Sequence, residues 1–204
     1  MARSLLSSPR VRSRPCRRRR SQQGFTLVEM AIVVVIIGIL AVLAVVGYRK
    51  LILSSNMTEA THMVNAIRVA QEAYHAETQQ YASPSTAVSP EGCGCLYPTQ
   101  NNPPTAQKTG WGSTAGIGAA WAVLPVHADG AVMFGYATMG GAAGGAPPGA
   151  PTVNGSATGL TFPSPSPSDW YVITAYGDPD GNKVYSAVVG TSWTNDLFTY
   201  NEGD

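Results

Sequence analysis

Glu29 stands where a carboxylate is expensive. It follows Gly24-Phe25-Thr26-Leu27-Val28 and precedes Met30 to Val46, a run without a charged or strongly polar side chain. An ionised side chain inside a membrane span costs roughly 2.5–3.5 kcal/mol even on lenient insertion scales. Glu29 therefore predicts a partner that offsets the cost. Two other groups carry chemistry-bearing side chains. Cys93 and Cys95 flank a single glycine, a spacing for a small strained disulfide ring, for free thiols, or for half of a metal site. No second cysteine pair or nearby histidine completes such a site, so the local bridge or free thiols are the favoured readings. Asp178, Asp180 and Asn182 sit at alternate positions in Asp178-Pro179-Asp180-Gly181-Asn182, like a short calcium loop. Calcium prefers six to eight oxygens, no bidentate glutamate follows at EF-hand distance, and the same residues are strong turn formers. A plain turn is favoured. His127, Asp129 and the scattered serines make no nucleophile, base or metal constellation, and Gly-x-Ser-x-Gly is absent, so the chain does not read as an enzyme.

The element that must position Glu29 is a helix. Phe25 to Tyr48 is a stretch of 24 residues, about 36 Å as a helix and enough for a hydrocarbon core of roughly 30 Å. Helical spacing continues through Met57, Ala60, Val64, Ile67, Gln71, Tyr74, Thr78 and Tyr81, with Ser83-Pro84 as the expected stop. This stripe reads as a packing face. Arg68 and Glu72 are spaced to pair weakly, and His62 and His75 lie off the stripe's centre, expected to face solvent.

Beyond Ser83 the chain turns loop-rich, dense in Gly, Pro, Ser and Thr. Trp121 to Val126 and Val132 to Met139 are expected strands, joined by His127-Ala128-Asp129-Gly130. Residues 140–167 read as a flexible Gly/Pro-rich surface insertion. Trp170 to Tyr176 and Lys183 to Val189 read as the clearest hairpin, being rich in β-branched and aromatic residues.

Charge is split along the chain. Eight of the thirteen basic residues, all arginines, lie before Gly24. Five basic and twelve acidic side chains follow, a balance of −7. The asymmetry predicts a cytoplasmic N-terminus and an outer C-terminal portion. The acidic body argues against nucleic acid as a partner. A secretory signal would have a shorter apolar core and a small-residue cleavage site after it, and neither is present; a plain uncleaved anchor is the stronger alternative.

Arg17 to Tyr81, and above all GFTLVEMAIVVVIIGIL, resembles the N-terminal signature of type IV prepilins and of the pseudopilins of type II secretion systems. The resemblance covers about a third of the chain. It implies cleavage by a prepilin peptidase between Gly24 and Phe25, N-methylation of Phe25, and an assembly role for Glu29 against the new terminal amine of a neighbouring subunit. Residues 1–24 would be a cleaved basic leader carrying Cys16, 25–48 the membrane-spanning and filament-core part, 49–82 the exposed amphipathic half of the helix, and 83–204 a β-rich head. The implied fold is α+β and pilin-like, a long N-terminal helix on a small antiparallel sheet. The implied partners are like subunits, the peptidase and methyltransferase, an inner-membrane assembly platform and membrane lipid. No cofactor is implied other than calcium, which some pseudopilins bind in a C-terminal loop. Many pilins carry proline where this chain has Val46, so Gly38 and Gly47 are its sources of helix pliability. The implied function is a filament subunit, anchored in the bacterial inner membrane before assembly and periplasmic or on the cell surface afterwards. The alternative is a membrane-anchored extracytoplasmic binding module that never polymerises. The resemblance implies a major pilin, a minor pilin or a pseudopilin.

Overall fold

The computed structural model describes residues 24–89, 95–99, 105–112 and 117–202. The expected leader, Gly24 excepted, lies outside that range. The chain forms two compact units divided between Leu43 and Ala44.

The first unit holds the beginning of α1, which spans Leu27–Thr78. Every described residue up to Leu43 is exposed, and Leu27 keeps 90% of its surface in contact with solvent. Aliphatic residues on every side leave this segment no polar face to turn outward. It is long and apolar enough to cross a membrane. The helix runs through Gly38 and Gly47 without interruption.

The second unit begins at Ala44. Here α1 buries Met57, Ala60, Val64, Ile67 and Gln71, the same side of the helix that the three-and-four spacing marks. It packs on a four-stranded antiparallel sheet of order β1-β4-β5-β6, made of β1 (Gly135–Gly141), β4 (Trp170–Gly177), β5 (Ser186–Thr191) and β6 (Phe198–Tyr200). Register is set by pairs such as Gly141↔Trp170, Val172↔Thr191 and Val189↔Phe198. A long helix on a small antiparallel sheet is the pilin-like α+β architecture.

Every residue of β4 is buried, so the sheet is covered on both faces. Tyr171, Ile173, Ala175 and Val188 join α1 in one cluster. On the opposite face Val172 and Val189 pack with Val88, Leu160 and Phe162, while Tyr176 and Ala187 pack with Leu96 and Val153. The Gly/Pro-rich segment 140–167 thus covers the sheet's second face instead of standing off as a surface insertion. Within it, β2 (Thr152–Val153) and β3 (Ser156–Ala157) form a hairpin. Gly144 and Ser166 close its base through backbone bonds of 2.8 and 2.9 Å to Ser166 and Gly145.

Other boundaries move from their expected places. Trp121 to Val126 is not a strand: α2 (Ile117–Trp121) ends there, and the Trp121 ring stacks on Tyr97 at 5.2 Å. Pro125 has no N–H to give a ladder. The strand expected from Val132 starts at Gly135, and Val132 instead bridges Thr109. The second hairpin strand starts at Ser186 rather than Lys183, whose φ of 68° belongs to the turn. β6 has no counterpart in the sequence reading. The helix stops at Thr78, four residues short of Ala82. Gln79 takes a left-handed φ of 58° and donates its N–H to His75 at 2.8 Å. The cause is Gln71: its amide nitrogen donates to the Ala82 carbonyl and its oxygen accepts from the Ala82 N–H, both at 2.9 Å. That reciprocal pair turns the chain back against the helix.

Candidate functional site

Leu27 is the first helical residue, and Thr26 caps it. The Thr26 N–H and hydroxyl both donate to Oε2 of Glu29 at 2.8 Å, and the Glu29 N–H donates back to the Thr26 hydroxyl at 3.2 Å. This is a capping box, a Ser or Thr followed three residues later by Glu, with each side chain satisfying the other's backbone N–H. A carboxylate in the first turn is also favoured by the helix dipole. The sequence carried this signal in Thr26-Leu27-Val28-Glu29, and the sequence reading, fixed on the cost of Glu29, missed it. Oε1 of Glu29 has no protein partner among the described residues. Phe25 is 78% exposed, and a Cβ at Gly24 would meet no atom of the described residues within 4 Å.

The remaining expected site residues are dispersed. Cys95 is buried and disulfide-bonded, whereas Cys93 and Cys16 lie outside the described residues. Asp178 spends both carboxylate oxygens on its own turn, accepting from the N–H groups of Gly181 at 2.8 Å and Lys183 at 3.1 Å. Asp180 accepts from Asn182, and Asn182 from Val184. Each of the three expected calcium ligands thus bonds the backbone of its turn, and among the described residues no cluster of three His, Cys, Asp or Glu side chains is placed for a metal.

His62 is exposed. His75 is not a plain solvent-facing residue: it contacts Asp169 Oδ2 at 3.2 Å and stacks on Tyr81 at 4.3 Å. The Ala143 N–H, and after it the hydrogen bond from His75, hold the Asp169 carboxyl below its ordinary range. Burial, followed by the charge of Glu72, pushes Tyr81 up to about 12. Arg68 and Glu72 do not pair. Arg68 donates to the Asn195 carbonyl at 2.9 Å, and Glu72 accepts from the Tyr81 hydroxyl at 3.2 Å. Glu59 fastens the far side of the helix, accepting from the Met133 N–H at 2.7 Å and from Lys108 at 3.0 Å. These contacts join residues as far apart as 94 and 127 positions, beyond any local pattern.

The described chain thus presents an apolar, exposed helical segment opened by a capped glutamate and a packed α+β unit. The family described as the prokaryotic N-terminal methylation motif matches residues 19–45. The chain carries a prepilin-type methylation motif and is similar, over about a third of its length, to proteins named as fimbrial proteins and as a type IV major pilin. It is similar to a fimbrial protein of Pseudomonas aeruginosa, 39% identical over 67 residues that cover 33% of this chain and 44% of that protein. It is also similar to the type IV major pilin protein PilA of Myxococcus xanthus, 40% identical over 60 residues covering 29% of this chain and 27% of the relative. A fimbrial protein of Eikenella corrodens, EcpC, is 34% identical over 67 residues, 33% of this chain and 44% of its own length. The chain thus spans less than half the length of the relatives it matches. No solved structure matches it.

Proposed function

We propose that this chain is a structural subunit of a type IV pilus-like filament, serving either a pilus or a secretion system. In the precursor the apolar part of α1 lies in the inner membrane, with the arginine-rich leader cytoplasmic and the head outside. A prepilin peptidase removes the leader between Gly24 and Phe25, and Phe25 is then methylated. Among the described residues nothing crowds a Cβ at Gly24, which fits a demand for glycine set by the peptidase. Phe25 and Glu29 are four residues apart, about 6 Å along a helix. With an axial offset between subunits, the Phe25 amine of one copy meets Glu29 of the next. A poorly solvated charge left alone is costly, whereas a paired one sets register. Repeated head-to-tail contacts that do not close produce a filament.

The observation that carries this reading is Glu29 itself. It lies at the head of an uncovered apolar helix, with one carboxylate oxygen bound to Thr26 and the other free for a neighbour. The test is Glu29→Ala, scored by the amount of subunit in sheared surface fractions and by the N-terminal residue of the mature chain. The expected result is correct processing to Phe25 with loss of filaments. Wild-type filament yield would remove the register role, and a mature chain starting elsewhere would remove the proposed cut. Calcium at Asp178, Asp180 and Asn182 is a separate proposal supported only by residue alternation, and titration calorimetry with calcium tests it.

A further inference from the structure

A groove of about 480 Å³ runs along α1, lined by Lys50, Ser54, Thr58, Thr61, His62 and Glu202, with the buried Met57 at its base. None of these residues has a part in the filament chemistry above. Three properties define what fits it. The first is charge: Lys50 brings a cation and Glu202 an anion, and they form no ion pair with each other.

The second is hydrogen-bond polarity. The Thr58 hydroxyl donates to the Ser54 carbonyl and the Thr61 hydroxyl to the Met57 carbonyl, each at 2.9 Å. Their protons are used, so both oxygens offer the groove lone pairs only. Glu202 adds a carboxylate to the same lining, and these oxygens call for an N–H donor. Lys50 offers only donors.

The third is location. Lys50 comes two residues after Tyr48, the last residue of the apolar stretch. The polar headgroup layer adds roughly 5–8 Å to each side of the hydrocarbon core, and a lysine stem reaches along the helix to keep its ammonium in that layer. The sheet shares this neighbourhood. Asn201, next to Glu202, donates to the Tyr185 carbonyl at 2.9 Å, and the neighbouring turn residues Lys183 and Val184 are exposed.

We propose that this groove seats a phosphoethanolamine-type lipid headgroup, its phosphate on Lys50 and its primary ammonium on Glu202 and the threonine oxygens. The phosphate then pairs with the residue nearer in sequence to the apolar stretch, Lys50, and the ammonium with Thr58 and Thr61 farther along α1. The site holds the precursor's head against the membrane surface. It rests on the reading that the apolar segment crosses the bilayer.

The test places the full chain in nanodiscs of equimolar phosphatidylethanolamine, phosphatidylcholine and phosphatidylglycerol, followed by mild detergent extraction and mass spectrometry of the retained lipid. Phosphatidylcholine has a cation without N–H donors, and phosphatidylglycerol has no cation. Phosphatidylethanolamine is expected to be retained about threefold or more over either, the scale of a single net hydrogen bond. Glu202→Gln and the paired Thr58→Val, Thr61→Val change should each erase that preference, while Lys50→Gln lowers retention of all three lipids. Retention in the bulk ratio overturns the proposal, as does an unchanged preference in Glu202→Gln. A photo-crosslinker at position 58 should give a lipid adduct; a chain-to-chain adduct makes the occupant a second copy and overturns it too. Equal competition by free phosphoethanolamine in solution overturns the lipid as source. A chain washed out of the bilayer by alkaline carbonate overturns the membrane reading itself, before any lipid is counted.

Discussion

Thr26 and Glu29 share three hydrogen bonds over three residues, and two substitutions separate the roles combined there. Glu29→Gln keeps an acceptor in the capping box, since Gln serves there as Glu does, but removes the charge. Thr26→Val keeps the charge and the shape and removes the hydroxyl. If Glu29 acts through its charge on a neighbour's amine, Glu29→Gln abolishes filaments while circular dichroism of the chain in detergent is unchanged. Thr26→Val instead frays the first helical turn and lowers filament yield only in part. Equal filament yield from Glu29→Gln and wild type would show that the cap, not the charge, is what assembly requires.

Two contacts decide how α1 meets the sheet. Gln71 is wholly buried and satisfies Ala82 in both directions while also donating to the Thr138 hydroxyl at 2.9 Å. Gln71→Leu fills similar space but leaves those groups buried without partners, at about 1–3 kcal/mol for each one left unsatisfied. Chemical denaturation of the detergent-solubilised chain should show a lower midpoint with an unchanged slope. Gly140 is the second contact: a Cβ there would come within 2.6 Å of the Tyr81 Cβ and 3.0 Å of the Ala82 carbonyl oxygen. Neither the backbone oxygen nor a Cβ is a flexible side-chain end. Gly140→Ala should therefore cost about 1–3 kcal/mol, the range for overpacked interiors, read in the same denaturation experiment. Glycine at this position reflects the return of the chain after α1 across β1.

As a whole, the second unit should be most stable between mild acid and about pH 10. Tyr81 titrates near 12 in the folded chain, while an unfolded tyrosine titrates near 10. Burial pushes Tyr136 and Tyr171 upward as well. Between about pH 10 and 12 the unfolded chain releases these protons and the folded chain keeps them, so stability present below pH 10 falls as pH rises. Asp169 works in the opposite sense. Its folded pKa is depressed, so its contribution is present above about pH 4 and is lost as pH falls through the folded value. Thermal melts across pH should decline at both ends. Asp169→Asn should flatten only the acid limb, and Tyr81→Phe should soften only the alkaline one.

The uncovered helix, its glutamate and the sheet's central hairpin were legible from residue order alone, because each depends on neighbours within a few positions. Apolar runs need no distant partner to declare themselves, and neither does β-branched alternation around an Asp-Gly turn. What lay beyond local reading was decided by long-range contacts. Gln71 reached Ala82 and ended the helix early. The Gly/Pro-rich segment, too poor in periodicity to read as structure, became the cover of the sheet's second face because Val153, Leu160 and Phe162 found Tyr176, Val172 and Val189 there. His75 was drawn from solvent by an aspartate 94 residues away. Periodicity reports which face of an element is apolar. Only the folded chain determines what that face meets.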